Sequence, residues 1–142
     1  MYVTYRKFTS KDFPYVIGLT RSQIGPYVLR AISVQEVADN LRKNQTYLIY
    51  HNGDRSGFIS FRPIGQRLYI DTIALQAGKQ GQGIGRKVFS FLEKKAGVQG
   101  MTGLFLHVHK VNKRAIKAYS RYGFVREGQT QSQYIMDKKI SR

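Results

Sequence analysis

Gln80-Gly81-Gln82-Gly83-Ile84-Gly85-Arg86 decides how this chain is read. Glycine at alternate positions removes Cβ atoms where a phosphate would have to approach the backbone. Upstream, Arg67–Leu75 alternates in the manner of a strand. Downstream, Ile84, Val88, Phe91, Leu92 and Lys95 recur at helical spacing, so Gly83–Ala96 reads as an amphipathic helix. A helix start offers unpaired N–H groups and the positive end of its dipole. Lys79, Arg86 and Lys87 add charge of the same sign. The stretch is suited to a pyrophosphate; the bland alternative, a flexible glycine-rich turn, leaves its place between strand and helix unexplained. A P-loop needs four residues between its glycines and then Gly-Lys-Ser/Thr, which is absent. A dinucleotide fingerprint needs G-x-G-x-x-G, with an acid about 20 residues on. Here the spacing is G-x-G-x-G, and the next strand ends in His109-Lys110.

Working outward, Tyr2–Phe8 alternates like a strand, and Asp12 or Ser10 can cap a short helix through Tyr15, Val16 and Leu19. Ser33 followed by Glu36 is a capping box that opens a helix running to Lys43. Thr46–His51 ends at Asn52-Gly53-Asp54, a hairpin turn sequence. Gly57–Arg62 is the next strand, and Pro63-Ile64-Gly65 leads into Arg67–Leu75. After the glycine loop and its helix come a strand over Leu104–His109 and a helix over Asn112–Tyr122, stopped by Gly123. Phe124–Arg126 and Gln133–Asp137 close the chain as strands. The order β-α-α-β-β-β-α-β-α-β-β is mixed α/β (α+β), with early antiparallel hairpins and a strand–helix–strand crossover that implies one parallel pair.

The 142 residues contain no repeat or linker, so a single domain over residues 1–142 is expected. Hydrophobic residues make up 42%, enough for a buried core. Twenty-four Lys and Arg against eight Asp and Glu give a net charge of +16, which favours anionic partners such as nucleic acid or acidic protein. The absence of cysteine excludes disulfides, thiolate metal sites and a Cys nucleophile. MYVTYRKFTS lacks the apolar run of a signal peptide, and no stretch approaches the ~20 apolar residues of a membrane span. A soluble cytoplasmic protein, monomer or homodimer, with no membrane partner is expected. His51, His107 and His109 are the only histidines, no carboxylate neighbours the His107/His109 pair in sequence, and no metal is expected.

Gln80–Arg86 resembles the Q/R-x-x-G-x-G/A acetyl-coenzyme A motif of the GNAT N-acetyltransferase superfamily. Asn112-Lys113-Arg114-Ala115-Ile116-Lys117-Ala118-Tyr119 and Tyr122-Gly123-Phe124 resemble that family's second motif, N-x-x-A-x-x-x-Y-x-x-x-G-F. In these motifs the chain is most similar to the group that acetylates ribosomal-protein N-termini. The resemblance implies the acyl-CoA N-acyltransferase fold: a mixed, mostly antiparallel sheet whose one parallel pair splays at a cofactor cleft. It implies acetyl-CoA as co-substrate and a primary amine as acceptor, on a small molecule or a protein. Backbone groups of Ile73, Ala74 and Leu75 would pair with the pantetheine arm, and an N–H near Ile73 would polarise the thioester carbonyl. The loop Gln80, Gly81, Gln82, Gly83, Ile84, Gly85 and Arg86 would hold the pyrophosphate, and Asn112 would bond the pantetheine.

Tyr119 is the candidate acid. Asn112, Ala115, Ile116 and Tyr119 share one helix face, and a phenol can give a proton or hydrogen bond to a leaving thiolate. Its structural alternative is a core tyrosine bonded to backbone. His107 stands where some relatives carry a glutamate and is the candidate base, as an imidazole suits proton abstraction. Asp71 is the alternative base, or else a salt-bridged acid, and proximity alone can also serve. Lys113, Arg114 and Lys117 can meet the coenzyme's 3′-phosphate or form a solvated face. The acceptor side would be built from Thr20–Ser33, with Arg21, Tyr27 and Arg30, and from Gln129–Tyr134. The charge disfavours polycationic acceptors. Two other readings account for part of the sequence: a basic nucleic-acid-binding module and a non-catalytic acyl-CoA-binding regulator.

Overall fold

Asn52 and Gly53 both adopt positive φ, 51° and 88°, the paired left-handed geometry that closes a two-residue hairpin. That turn joins β2 (Gln45–His51) to β3 (Asp54–Ile64) in a computed structural model that describes residues 1–140. β1 (Val3–Lys7) lies antiparallel to β2, from Val3 opposite His51 to Lys7 opposite Tyr47. Between β1 and β2 run α1 (Phe13–Gln23) and α2 (Val34–Lys43). The capping box forms as read: Ser33 Oγ accepts the Glu36 N–H at 3.1 Å, and Glu36 Oε1 accepts the Ser33 N–H at 2.9 Å. Asp12 occupies the N-cap position of α1, but its side chain makes no cap bond there. It is buried, its carboxylate takes two bonds from the Arg6 guanidinium at 2.9 and 3.0 Å, and it accepts the Thr9 N–H. Arg6 therefore holds the Asp12 carboxyl below the ordinary carboxylate range, at about 2.

The rest of the chain is β4 (Arg67–Leu75), α3 (Ile84–Val98), β5 (Gly103–His109), α4 (Lys113–Arg121), β6 (Val125–Gln129) and β7 (Gln133–Lys139). The helix–strand order is the one read from sequence, with element ends shifted by a few residues. The largest departure is in β3, which continues through Pro63 and Ile64 so that the turn falls at Gly65-Gln66. Pairing with β2 ends at Phe61, so Pro63 leaves no missing N–H bond on that side. The seven strands form one sheet in the order β1-β2-β3-β4-β5-β7-β6. Its parallel pair joins Arg67–Ile70 to Gly103–Leu106, while β1–β2, β2–β3, β5–β7 and β6–β7 are antiparallel.

Contacts divide the chain into two compact units, Met1–Arg62 with Asp71–Gly85, and Pro63–Ile70 with Arg86–Arg142. The first is organised around Val16, Leu19, Val37, Leu48, Phe58 and Ala74. In the second, Gly128 pairs with Ile135 and Arg126 with Met136, leaving Glu127 as the extra residue of a bulge. The bulge carries Glu127 onto Arg67, at 2.8 and 3.0 Å, and Arg67 also binds Asp137 at 2.8 Å. Among the described residues no helix is long and apolar enough to cross a membrane.

Candidate functional site

The glycine loop is built by the end of β4. After Leu75, Gln76 donates its N–H to Ser56 O at 2.9 Å, and a short 3₁₀ turn over Ala77–Lys79 redirects the chain. Gly81 and Gly83 then sit at φ +75° and +82°, a left-handed backbone that disfavours any Cβ. α3 begins at Ile84, whose buried side chain anchors the helix start. The N–H groups of Gly81, Gln82 and Gly83 bond no other group among the described residues. A Cβ placed on Gly81 would meet nothing within 4 Å, so the backbone there is open to a ligand. Free N–H groups on an unobstructed, cation-flanked helix start fit a diphosphate.

The side chains of the loop point to a second task. Gln80 Nε2 donates to Gln23 Oε1 at 2.8 Å and to Leu75 O at 3.2 Å. Gln82 Nε2 donates to Gly78 O at 2.7 Å. These amides brace the loop, which leaves ligand contacts to its backbone. Tyr15 Oη donates to Gln76 Oε1 at 2.6 Å beside a cavity of about 390 Å³ along α1. Sequence reading missed Gln23, Tyr15 and Gln76, because no local pattern marks partners more than fifty residues away. Lys79 Nζ lies 3.7 Å from Asp54 and 3.5 Å from His51 Nδ1. Ala74 is buried, with Ile73 and Leu75 half-buried on either side. Asp71 Oδ2 accepts bonds from Arg62 and from Asn44 Nδ2, each at 2.9 Å, which is the salt-bridged alternative. On the acceptor segment, Arg21 bonds Ile32 O and Arg30 pairs with Glu36.

In the second unit Asn112 is the N-cap of α4, its Oδ1 accepting the Ala115 N–H at 3.2 Å. Its Nδ2 donates to no group among the described residues. Tyr119 is half-buried on α4, edge-on to Phe89 at 5.8 Å and 6.0 Å from Phe124. Burial, with a smaller contribution from Tyr122, pushes its phenol up to about 12. Its hydroxyl bonds no other group among the described residues, unlike that of a core tyrosine tied to backbone. His107 is exposed on β5, edge-on to Tyr69 at 5.5 Å. His109 is half-buried, and desolvation lowers its pKa from the ordinary value. Arg86 lies over the Tyr122 ring, 5.5 Å from its centre. Among the described residues no three His, Asp or Glu side chains gather as a metal-binding group. The candidates thus form two sets: Asp71, Ile73–Leu75 and Gln80–Gly85 in the first unit, and Arg86, His107, Asn112 and Tyr119 in the second.

Residues 16–124 match the family model described as the acetyltransferase (GNAT) family, and the chain belongs to that family. It is 40% identical over 75 residues to a streptothricin acetyltransferase of Streptomyces lavendulae, a match covering 51% of this chain and 40% of that protein. The matched part therefore spans less than half the length of that relative. Among solved structures, the PaiA N-acetyltransferase from Thermoplasma acidophilum, in complex with coenzyme A, superposes with a TM-score of 0.83 at 19% identity. That match covers 99% of this chain and 100% of the other. The ribosomal-protein-S18-alanine N-acetyltransferase from Escherichia coli gives 0.78 at 21% identity, over 99% of this chain and 96% of the other. At such identities the superpositions establish the fold.

Proposed function

We propose that this chain, acting as a single domain, is an acetyl-CoA-dependent N-acetyltransferase that moves an acetyl group to a primary amine by direct attack in a ternary complex. The observation that carries this is the loop with two left-handed glycines and free N–H groups at the start of α3, in a chain of the GNAT family. Acetyl-CoA supplies the activated acyl carbon and the thiolate leaving group. Backbone N–H groups of Gly81–Arg86 hold its diphosphate, and the backbone of Ile73–Leu75 aligns the pantetheine arm. Asn112 uses Oδ1 as a helix cap, leaving Nδ2 for the same arm. An N–H near Ile73 polarises the thioester carbonyl, the step where charge develops.

The amine nitrogen forms its bond to the acyl carbon as the carbon–sulfur bond breaks. His107, exposed and free of ion pairs, takes the amine's proton directly or through water; Asp71 is already held by Arg62 and Asn44. Tyr119 Oη donates to the departing sulfur. A phenol near 12 keeps its proton throughout the working pH range. Full transfer to an ordinary thiolate of pKa ~8.5 is uphill, so Tyr119 acts by hydrogen bonding as charge builds on sulfur. The test is Tyr119→Phe, which keeps the contacts to Phe89 and Phe124. We expect kcat to fall by about 10² or more while acetyl-CoA affinity stays nearly unchanged. An unchanged kcat removes Tyr119 as the hydrogen-bond donor to the departing sulfur. Tight acetyl-CoA binding without thiol release from any amine would favour the non-catalytic regulator.

A further inference from the structure

Among the described residues, each Asp and Glu side chain has an Arg or Lys beside it. Asp12, Asp54, Asp71, Glu127 and Asp137 each lie beside an Arg or Lys. The other three, Glu36, Asp39 and Glu93, pair with Arg30, Arg42 and Lys138 at 2.6, 2.6 and 3.1 Å. These are the eight Asp and Glu of the chain, so each side-chain carboxylate already has a cation beside it, although Asp54 stays largely exposed. The excess cations are unevenly placed. From Thr72 to Arg126 the sequence has one acid, Glu93, and that acid is paired. Lys113, Arg114, Lys117 and Arg121 are exposed along the outer side of α4, over about 12 Å of helix. They meet no carboxylate among the described residues.

From this arrangement we infer that the acceptor is an acidic peptide, whose carboxylates are drawn to the α4 stripe while its free amine is acetylated. This rests on the acetyltransferase reading. The choice of peptide follows from chemistry. The acceptor must carry a nucleophilic aliphatic amine, which a nucleic acid lacks, and it must be anionic to gain from this field. A polyamine or polycationic antibiotic would have to approach a +16 protein whose Asp and Glu side chains each already lie beside an Arg or Lys.

The test uses the full chain, acetyl-CoA and thiol release with three peptides of equal length and the same free N-terminal residue: Glu-rich, Ser/Gly-rich and Lys-rich. Spermidine is a fourth acceptor, and each is measured at about 25 and 200 mM salt. The expected kcat/KM is at least tenfold higher for the acidic than for the basic peptide. Salt should lower the rate for the acidic peptide and raise it for the basic one. Arg121→Glu should weaken the acidic preference several-fold, with folding checked by thermal melting and by turnover of the neutral peptide. Equal rates for all charges, or preference for spermidine or the Lys-rich peptide, overturn the inference and leave the acetyltransferase reading standing. Binding of a single-stranded oligonucleotide more tightly than the Glu-rich peptide overturns it in favour of a nucleic-acid surface. Absence of thiol release from every acceptor at both salts defeats the acetyltransferase reading instead.

Discussion

Replacing Gly81 or Gly83 by alanine asks whether the shape of the loop is what binds the coenzyme. Both residues have φ near +80°, where a Cβ costs about 1–2 kcal/mol. Steric crowding adds little. Around Gly81 the space is open within 4 Å, and at Gly83 the new Cβ would lie 3.7 Å from Met1 Cε, an ordinary contact. The strain must appear in one of two places. If the loop keeps its shape, the protein loses that 1–2 kcal/mol of stability, a drop of about 2–8 °C in Tm, and binding is retained. If the loop relaxes, stability is retained and acetyl-CoA must restore the strained form, weakening Kd by about 5–30-fold. The two losses together should come to about 1–2 kcal/mol for each substitution. Thermal melting and calorimetric titration on the same samples measure both. Gly97→Ala is the control: it lies within α3 at ordinary φ with nothing within 4 Å, and should stabilise by about 0.5–1 kcal/mol without changing Kd. Loss of neither stability nor affinity at Gly81 and Gly83 would refute the strained-loop argument.

Two further substitutions test the frame. Asp12, held at about 2 against an ordinary 3.8, contributes stability that is present above pH 4 and lost as pH falls toward 2. Screening through the exposed side of Arg6 limits it to about 1–2 kcal/mol, and Asp12→Asn should flatten the acid limb of a pH-dependent melting curve; a limb of unchanged slope would assign that sensitivity elsewhere. Ser33→Ala removes the acceptor of the Glu36 N–H and should cost about 1 kcal/mol in a denaturant titration, whereas a loss below about 0.3 kcal/mol would show the cap to be replaced by water.

What was legible in the sequence was local chemistry. Ser33 and Glu36, Asn52-Gly53 and the glycine loop each encode their geometry within a few residues, and the structure forms each of them. The sequence reading ends the strand at Arg62 and takes Pro63-Ile64-Gly65 as the way into the next one, but β3 extends through Ile64, past the point where its β2 partner stops. The sequence offers Asp12 or Ser10 as the cap of α1; Asp12 takes the N-cap position, but its carboxylate is held by Arg6, on β1. The Gln80 amide is engaged by Gln23 and Leu75 O, and nothing near Gln80 in the sequence marks Gln23 as its partner. In the last two cases a deciding partner lies outside the local pattern: Arg6 on another element for Asp12, and Gln23, fifty-seven residues away, for Gln80. The total charge was plain from composition. That every acid is paired was not, because pairing depends on which strands and helices meet.

Binding of coenzyme A by the glycine loop that opens α3 is tested by calorimetric titration with acetyl-CoA, with free coenzyme A and NADP as comparators at moderate salt. Micromolar binding specific to the two coenzyme A species is expected. Weak binding of all three, fading together as salt rises, would contradict it and leave the net charge as the source of affinity.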